Sequence, residues 1–374
     1  MPLDNLSFVD MSSIGYALLA MVLAAAVSLA TTPLVKMLAG KVGAIDVPKD
    51  NRRMHDHPIP RLGGLAIFLG FMVAVLLLIP LDTPKKGMLL GAVIIVVLGV
   101  FDDIHALPAL PKFFVQIIAA LVAVIAGNRI EVLSNPNIFS GNPTWVLGWL
   151  SIPVTVIWIV AITNAVNLID GLDGLACGVS TISSVIMLVI ALLVSELDVA
   201  MMMGALAGAC IGFLPYNFNP AKIFMGDTGA TFLGYIMATV SVQGMFKMYN
   251  LISFVVPFLM LGLPIFDVCF AVIRRVSKGQ SPMMPDRSHV HHRLIDMGLS
   301  QKQTVGVLYV ISAILGLSAV VLTTSGALKA MVFLLAMALV TFVAWRIFMN
   351  GQKKDKSQGN EETGEEEERG PSER

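Results

Sequence analysis

Apolar residues run through this chain in long stretches, and the charged residues gather in the short segments between them. A stretch of about 18 or more apolar residues reads as a helix able to cross a bilayer, because each residue rises about 1.5 Å along the axis. About eleven such transmembrane helices are expected, at 12–37, 63–81, 87–101, 113–127, 145–163, 175–195, 199–215, 229–246, 251–273, 304–323 and 328–349. Several end at Pro, Gly or Asn, residues that stop helices and open turns. The pattern predicts an all-α polytopic membrane protein with a transmembrane domain over 1–350. The remainder, 351–374, ends in "EETGEEEERGPSER" and is expected to be a disordered acidic cytoplasmic tail.

Composition agrees with that class. The chain is 56% hydrophobic and 13% charged, with a mean hydropathy of +0.81, well outside the soluble range. Cys177, Cys210 and Cys269 fall in or beside apolar runs, which makes neither a disulfide framework nor a thiol metal site. The 22 methionines read as packing and lipid-facing residues. The start, "MPLDNLSFVD", carries Asp4 and Asp10 without Lys or Arg, unlike a cleaved signal peptide, so the first span is expected to stay.

Charge sets the expected orientation. With eleven spans and the N-terminus outside, the non-cytoplasmic segments hold Lys85, Lys86, Arg129, Lys247 and Lys329, five of the 25 basic residues. The remaining twenty lie on the other side, as the positive-inside rule requires. The formal net charge is zero, so nothing points to a nucleic-acid partner. Under the same topology all six histidines fall on the cytoplasmic side, together with Asp102, Asp103, Asp170, Asp173 and Asp227. Acids this close to hydrocarbon are costly and persist mainly where they pair or work.

Asn164, Asn167, Asp170 and Asp173 recur every third residue in "NAVNLIDGLDG". They share one edge only if that stretch is tight, because members spaced by three drift around a regular α-helix. Capping and turn formation around Gly171 and Gly174 is the plainer reading, yet four polar residues exceed what a cap requires. Carboxylates are hard ligands, and Mg²⁺ is commonly held by one or two of them with substrate phosphates. Phosphoryl transfer is therefore the chemistry these acids suit, with histidines and arginine in a loop available to hold phosphate. Zinc hydrolysis fits less well, since no His-Glu-x-x-His spacing occurs. A transporter would instead place ionisable residues near mid-span. Here only Asp267, near the inner end of the ninth span, approaches that pattern.

Together, "PRLGGLAIF", "FDD" followed by "PALPKFFVQ", "NAVNLIDGLDGLA", "IFMGDTGATFLG" and "SHVHHRL" resemble the bacterial polyprenyl-phosphate N-acetylhexosamine-1-phosphate transferases, over roughly 40–300. The resemblance implies transfer of a sugar-1-phosphate from a UDP-sugar to undecaprenyl phosphate, with Mg²⁺ as cofactor (Mn²⁺ the alternative) and release of UMP. The stretch "SHVHHRLIDMGLS" lacks the three consecutive histidines of the peptidoglycan branch, which uses UDP-MurNAc-pentapeptide. It is closer to the branch that uses UDP-GlcNAc to begin teichoic acid or other surface polysaccharides. A UDP-GalNAc-type donor stays open.

By the same resemblance, Asp227 is the metal ligand, and Asp102 and Asp103 help with the metal or act on the lipid phosphate. Lys112 holds that phosphate, and Asn164, Asn167, Asp170 and Asp173 form the turn that binds uridine beside the metal. His289, His291, His292 and Arg293 close on the sugar diphosphate. The expected mechanism is direct in-line attack by the lipid phosphate, with a covalent aspartyl route as the alternative. The expected setting is a bacterial plasma membrane with the active face cytoplasmic, and a homodimer is compatible with it.

Overall fold

The structure, a computed structural model, describes residues 11–48, 57–134, 144–244, 251–277, 279 and 289–324. Its helices are α1 (Met11–Val42), α2 (Gly64–Leu78), α3 (Thr83–His105), α4 (Ala109–Ile125), α5 (Ser151–Ile169) and α6 (Leu175–Leu193). They continue as α7 (Leu197–Asn217), α8 (Gly226–Gly244), α9 (Leu251–Met260), α10 (Gly262–Ser277), α11 (Val290–Asp296) and α12 (Gln301–Thr324). Among the described residues six helical segments are long and apolar enough to cross a membrane: α1, α3, α5 with its preceding turn, α6, α7 and α12. The helices α2 and α4 are apolar but shorter. The chain is an all-α polytopic membrane protein. The expected span at 328–349 and the tail at 351–374 lie outside the described residues.

Two short antiparallel hairpins interrupt the helices. β1 (Ile45–Asp46) pairs with β2 (Ile59–Pro60), and β3 (Val132–Ser134) pairs with β4 (Thr144–Val146). The second hairpin corrects the expected start of the fifth span. Trp145 and Val146 are apolar but belong to β4, and a 3₁₀ turn, Gly148–Leu150, precedes α5. The helix then runs on to Ile169, so Asn164 and Asn167 are helical.

The ninth span also differs from expectation, because α9 and α10 are separate helices meeting at Leu261. Pro264 has no N–H for the carbonyl four residues back, that of Met260. The Ser183 hydroxyl of α6 donates to this carbonyl instead, at 2.8 Å. Without water, a neighbouring hydroxyl is the available way to satisfy it.

Packing makes α8 the central post. Every residue from Thr228 to Val242 is buried, although α8 is not one of the long apolar segments. Its neighbours are α2, α3, α5, α6 and α7. On the far side of α7, Gly204, Gly208 and Gly212 form a bare row against α1, where an added Cβ would meet the backbone oxygens of Ala17, Met21 and Ala25. Such small-residue rows let helices approach closely in lipid, where dispersion replaces the hydrophobic effect.

Candidate functional site

Three helix ends and one loop meet at a cluster of acids. Asp102 and Asp103 occupy the last turn of α3, Lys112 the first turn of α4, and Asp227 the first turn of α8. Carboxylates at a helix C-terminus oppose the helix dipole, so Asp102 and Asp103 need compensation from elsewhere. Asp102 obtains it locally: its Oδ1 accepts the Leu107 N–H at 2.7 Å, and its Oδ2 lies 2.7 Å from Lys112 Nζ. The same ammonium reaches Asp227 Oδ2 at 3.1 Å. One cation thus bridges two carboxylates whose positions in the chain differ by 125 residues.

Asp103 is used differently. Its Oδ1 accepts the Asp227 N–H at 3.0 Å and its Oδ2 the Thr228 N–H at 3.1 Å, and the Thr228 hydroxyl donates to Oδ2 at 2.6 Å. The carboxylate of α3 therefore caps the N-terminus of α8, supplying what a capping side chain normally supplies within one helix. Gly226, at φ +72°, permits this, because a Cβ there would collide with that carboxylate.

The fifth charge comes from the loop after β2. Phe224 donates its N–H to Pro60 O at 2.8 Å, while Gly63 and Gly64 donate theirs to Phe224 O and Met225 O at 2.9 and 2.8 Å. This pairing carries Arg61 to 3.2 Å from Asp103 Oδ1 and 4.0 Å from Asp227 Oδ1. Burial opposes the charge on the guanidinium, yet Asp103 and Asp227 outweigh it and hold its pKa above the ordinary value.

Access separates the four at the helix ends. Lys112 and Asp227 keep 27% and 24% of their side-chain surface, against 5% for Asp102 and none for Asp103. Asp170, just past the end of α5, is half-buried, and its side chain has no hydrogen bond or ion pair among the described residues. Burial, then the charges of Asp227 and Asp103, push its pKa up to about 7. Four acids against two bases leave this pocket negative. The carboxylates of Asp227 and Asp170 are hard oxygen donors with uncommitted lone pairs, which fits a divalent cation. Among the described residues no three His, Cys, Asp or Glu side chains form a closed metal cage. An open oxygen pair suits Mg²⁺ shared with substrate phosphates.

The remaining candidates spread around this centre. Asn164 donates to Gln116 Oε1 of α4 at 2.6 Å, one turn beyond Lys112. Asn167 is half-buried and makes no side-chain hydrogen bond among the described residues. Asp173 turns away from Asp170 and accepts from Asn219 Nδ2 at 2.9 Å and the Ala221 N–H at 3.0 Å. It lines a cavity of about 340 Å³ with Phe218, Asn219, Lys302 and Tyr309. The spacing of three thus serves three directions rather than one edge.

The histidines lie on and just before α11. His289 and His291 stack in parallel, with centroids 5.8 Å apart, and His292 tilts on His291 at 4.3 Å. Arg293 follows on the same short helix. His291 Nε2 abuts Gly171, so the array meets the Asp170–Asp173 turn. Burial, then the nearby His292, lowers the pKa of His291 to about 4, which leaves the ring neutral at pH 7.

Sequence comparison matches this framework. The family model described as glycosyl transferase family 4 matches residues 86–245, a range that includes most of α3, all of α4 and α5, and Asp227. A Bacillus subtilis (strain 168) protein named "Probable undecaprenyl-phosphate N-acetylglucosaminyl 1-phosphate transferase" is 45% identical over 295 residues, 79% of this chain and 81% of that protein. The chain belongs to glycosyl transferase family 4. The resemblance to polyprenyl-phosphate N-acetylhexosamine-1-phosphate transferases is thereby borne out. A "Decaprenyl-phosphate N-acetylglucosaminephosphotransferase" of Mycobacterium tuberculosis (strain ATCC 25618 / H37Rv) is 38% identical over 309 residues, 75% of this chain and 76% of that protein. An "Undecaprenyl-phosphate alpha-N-acetylglucosaminyl 1-phosphate transferase" of Thermotoga maritima is 32% identical over 270 residues, 72% and 78% of the two chains.

Sequence reasoning did not single out Arg61, Gln116, Asn219 or Thr228 in this transferase. Arg61 lies inside the quoted "PRLGGLAIF", and Gln116 follows Lys112 by one helical turn. Those were the available signals.

Proposed function

We propose that this chain transfers GlcNAc-1-phosphate from UDP-GlcNAc to undecaprenyl phosphate, giving undecaprenyl-diphospho-GlcNAc and UMP. The relatives' names supply the reaction, and one observation carries it onto these residues: a single lysine held between two carboxylates at the meeting of three helix ends. We take the setting to be a bacterial plasma membrane, with about eleven spans and the site on the cytoplasmic side. Opening a teichoic acid or related surface polysaccharide is the role that fits this product.

Lys112 is the group that receives the lipid phosphate, exchanging contacts with Asp102 and Asp227 for the incoming anion. A phosphate monoester has its second pKa near 6 and is mostly dianionic at pH 7, so it attacks without a general base. Its oxygen bonds to the β-phosphorus while the bond from that phosphorus to the bridging oxygen breaks, and UMP departs. Arg61 holds Asp103 neutralised beneath the reacting groups. Asp227 and Asp170 are the residues that would hold Mg²⁺, which when bound supplies charge neutralisation on the diphosphate. The cavity beside Asp173 is where we place the uridine. An apolar cavity of about 330 Å³, walled by Trp158, Ile162, Phe258 and Ile265 among others, suits an isoprenoid chain.

The test is turnover by the purified full chain with UDP-GlcNAc, undecaprenyl phosphate and Mg²⁺. UMP released in step with lipid-linked GlcNAc is the expected result; no UMP overturns the reading. Running UDP-GalNAc and UDP-MurNAc-pentapeptide in parallel decides the donor.

A further inference from the structure

One buried carboxylate, Asp267, takes no part in the acidic cluster. It lies within α10 and is 4% exposed. A buried carboxylate is costly unless each oxygen finds a donor. The two oxygens of Asp267 divide the work: Oδ2 lies 2.7 Å from His289 Nδ1, and Oδ1 accepts the Val290 N–H at 2.9 Å. The carboxylate therefore grips the ring of His289 and the first backbone N–H of α11 together. Because an ionised carboxylate only accepts, the ring nitrogen facing it carries the hydrogen. That fixes both the tautomer and the plane of the ring.

The consequence passes along a chain of contacts. His291 stacks on His289 at an interplanar angle of 8°, and the far nitrogen of His291 abuts Gly171 in the turn that holds Asp170. We infer that Asp267 is a positioning residue, acting through His289 to present the histidine array to the turn beside the acidic cluster. This rests on the transferase reading above. It gives the break between α9 and α10 a role, since the direction of α10 decides where Asp267 stands.

Substitution in the full chain, held in detergent micelles, tests it. Asp267→Asn keeps the size of the side chain but replaces one acceptor by a donor. It should lower kcat for UMP release by roughly tenfold to a hundredfold, the usual loss when the outer partner of a working imidazole is removed. The KM for UDP-GlcNAc should change less, within about threefold. In a His289→Ala background the same substitution should cost less than about twofold, because its partner has already gone. Losses that multiply in the double variant, or a kcat for Asp267→Asn within about twofold of wild type, overturn the inference. Should Asp267→Asn fail to fold, ¹⁵N-histidine NMR of the unsubstituted chain decides. A protonated Nδ1 on the resonance that disappears in His289→Ala supports the inference, and a bare Nδ1 overturns it. An unsubstituted chain that releases no UMP defeats the transferase reading, and the state of that nitrogen then judges the Asp267–His289 pairing alone.

Discussion

Helix α3 carries an ionic cluster at each end, and the two differ in how far water shares their charge. At its start Lys85, 6% exposed, reaches Asp82 at 2.9 Å and Asp198 of α7 at 2.6 Å. Asp82 also caps the helix by accepting the Lys85 N–H at 2.9 Å. Both acids remain substantially exposed, at 56% and 42% of their side-chain surface, so water shares the load. At the other end Lys112 and Arg61 face Asp102, Asp103, Asp170 and Asp227, and two of these acids are almost wholly buried. The first cluster ties helices together. The second concentrates its excess negative charge where water barely reaches, which is a poor way to gain stability and a good way to recruit cations and phosphate.

The sharpest way to break this contrast is to discharge the second cluster. Asp227→Ala should lower kcat by more than about a hundredfold, as for loss of one main electrostatic stabiliser of a transition state. Its melting temperature should not fall, because repulsion with Asp170 is relieved. Comparing UMP release with thermal unfolding of the same preparation checks both halves, and wild-type turnover would remove Asp227 from the site.

A smaller effect is expected from Lys112→Ala. Losing one charge-assisted contact should raise the KM for undecaprenyl phosphate by roughly tenfold, with the KM for UDP-GlcNAc much less affected. Equal changes for both substrates would show that the ammonium serves the acids rather than the lipid.

The pH response should sharpen the contrast further. Asp170 holds its proton up to about 7 in the folded chain, against 3.8 ordinarily. The stability it contributes is full below the ordinary value and is lost as pH rises through about 7. Without divalent cation the melting temperature should decline across that window. Added Mg²⁺ should restore more of it at pH 8 than at pH 5, and Asp170→Asn should flatten both trends. Melting curves with and without the cation read this directly.

The exposed cluster should respond least. Lys85→Met should leave kcat and both KM values unchanged and lower the melting temperature by only a few degrees, as expected for about 1 kcal/mol in a chain of this size. A large activity loss would mean that the two ends of α3 are coupled.

The helices were legible because lipid-facing and buried apolar runs look alike in one dimension, and both read as spans. Boundaries failed where an apolar residue served another element, as Trp145 does in β4, or where proline broke a run whose composition is continuous, as at Leu261. The acids were legible individually, since charge beside hydrocarbon has few bland explanations. Their partners were not. Arg61 reaches Asp103 only through the pairing of its loop with Phe224, and Asp267 reaches His289 from a separate helix. Contacts made by the folded backbone leave no periodic trace. Asn164, Asn167, Asp170 and Asp173 could share an edge only in a tight stretch, and that condition is not met: α5 continues through the first two as a regular helix and a turn redirects the others.

Asp103 has a consequence for how variants of this chain are interpreted. Its carboxylate closes the end of α8 by accepting three hydrogen bonds and meets Arg61 at Oδ1. Any replacement unfastens a helix and alters the local field at once. In a mutational map scored only by growth or turnover, this position will be indistinguishable from one that touches substrate. Position-by-position tolerance therefore ranks Asp103 beside Asp227 although the two do different jobs, and only a map scored by folded protein as well as activity separates the rivet from the tool.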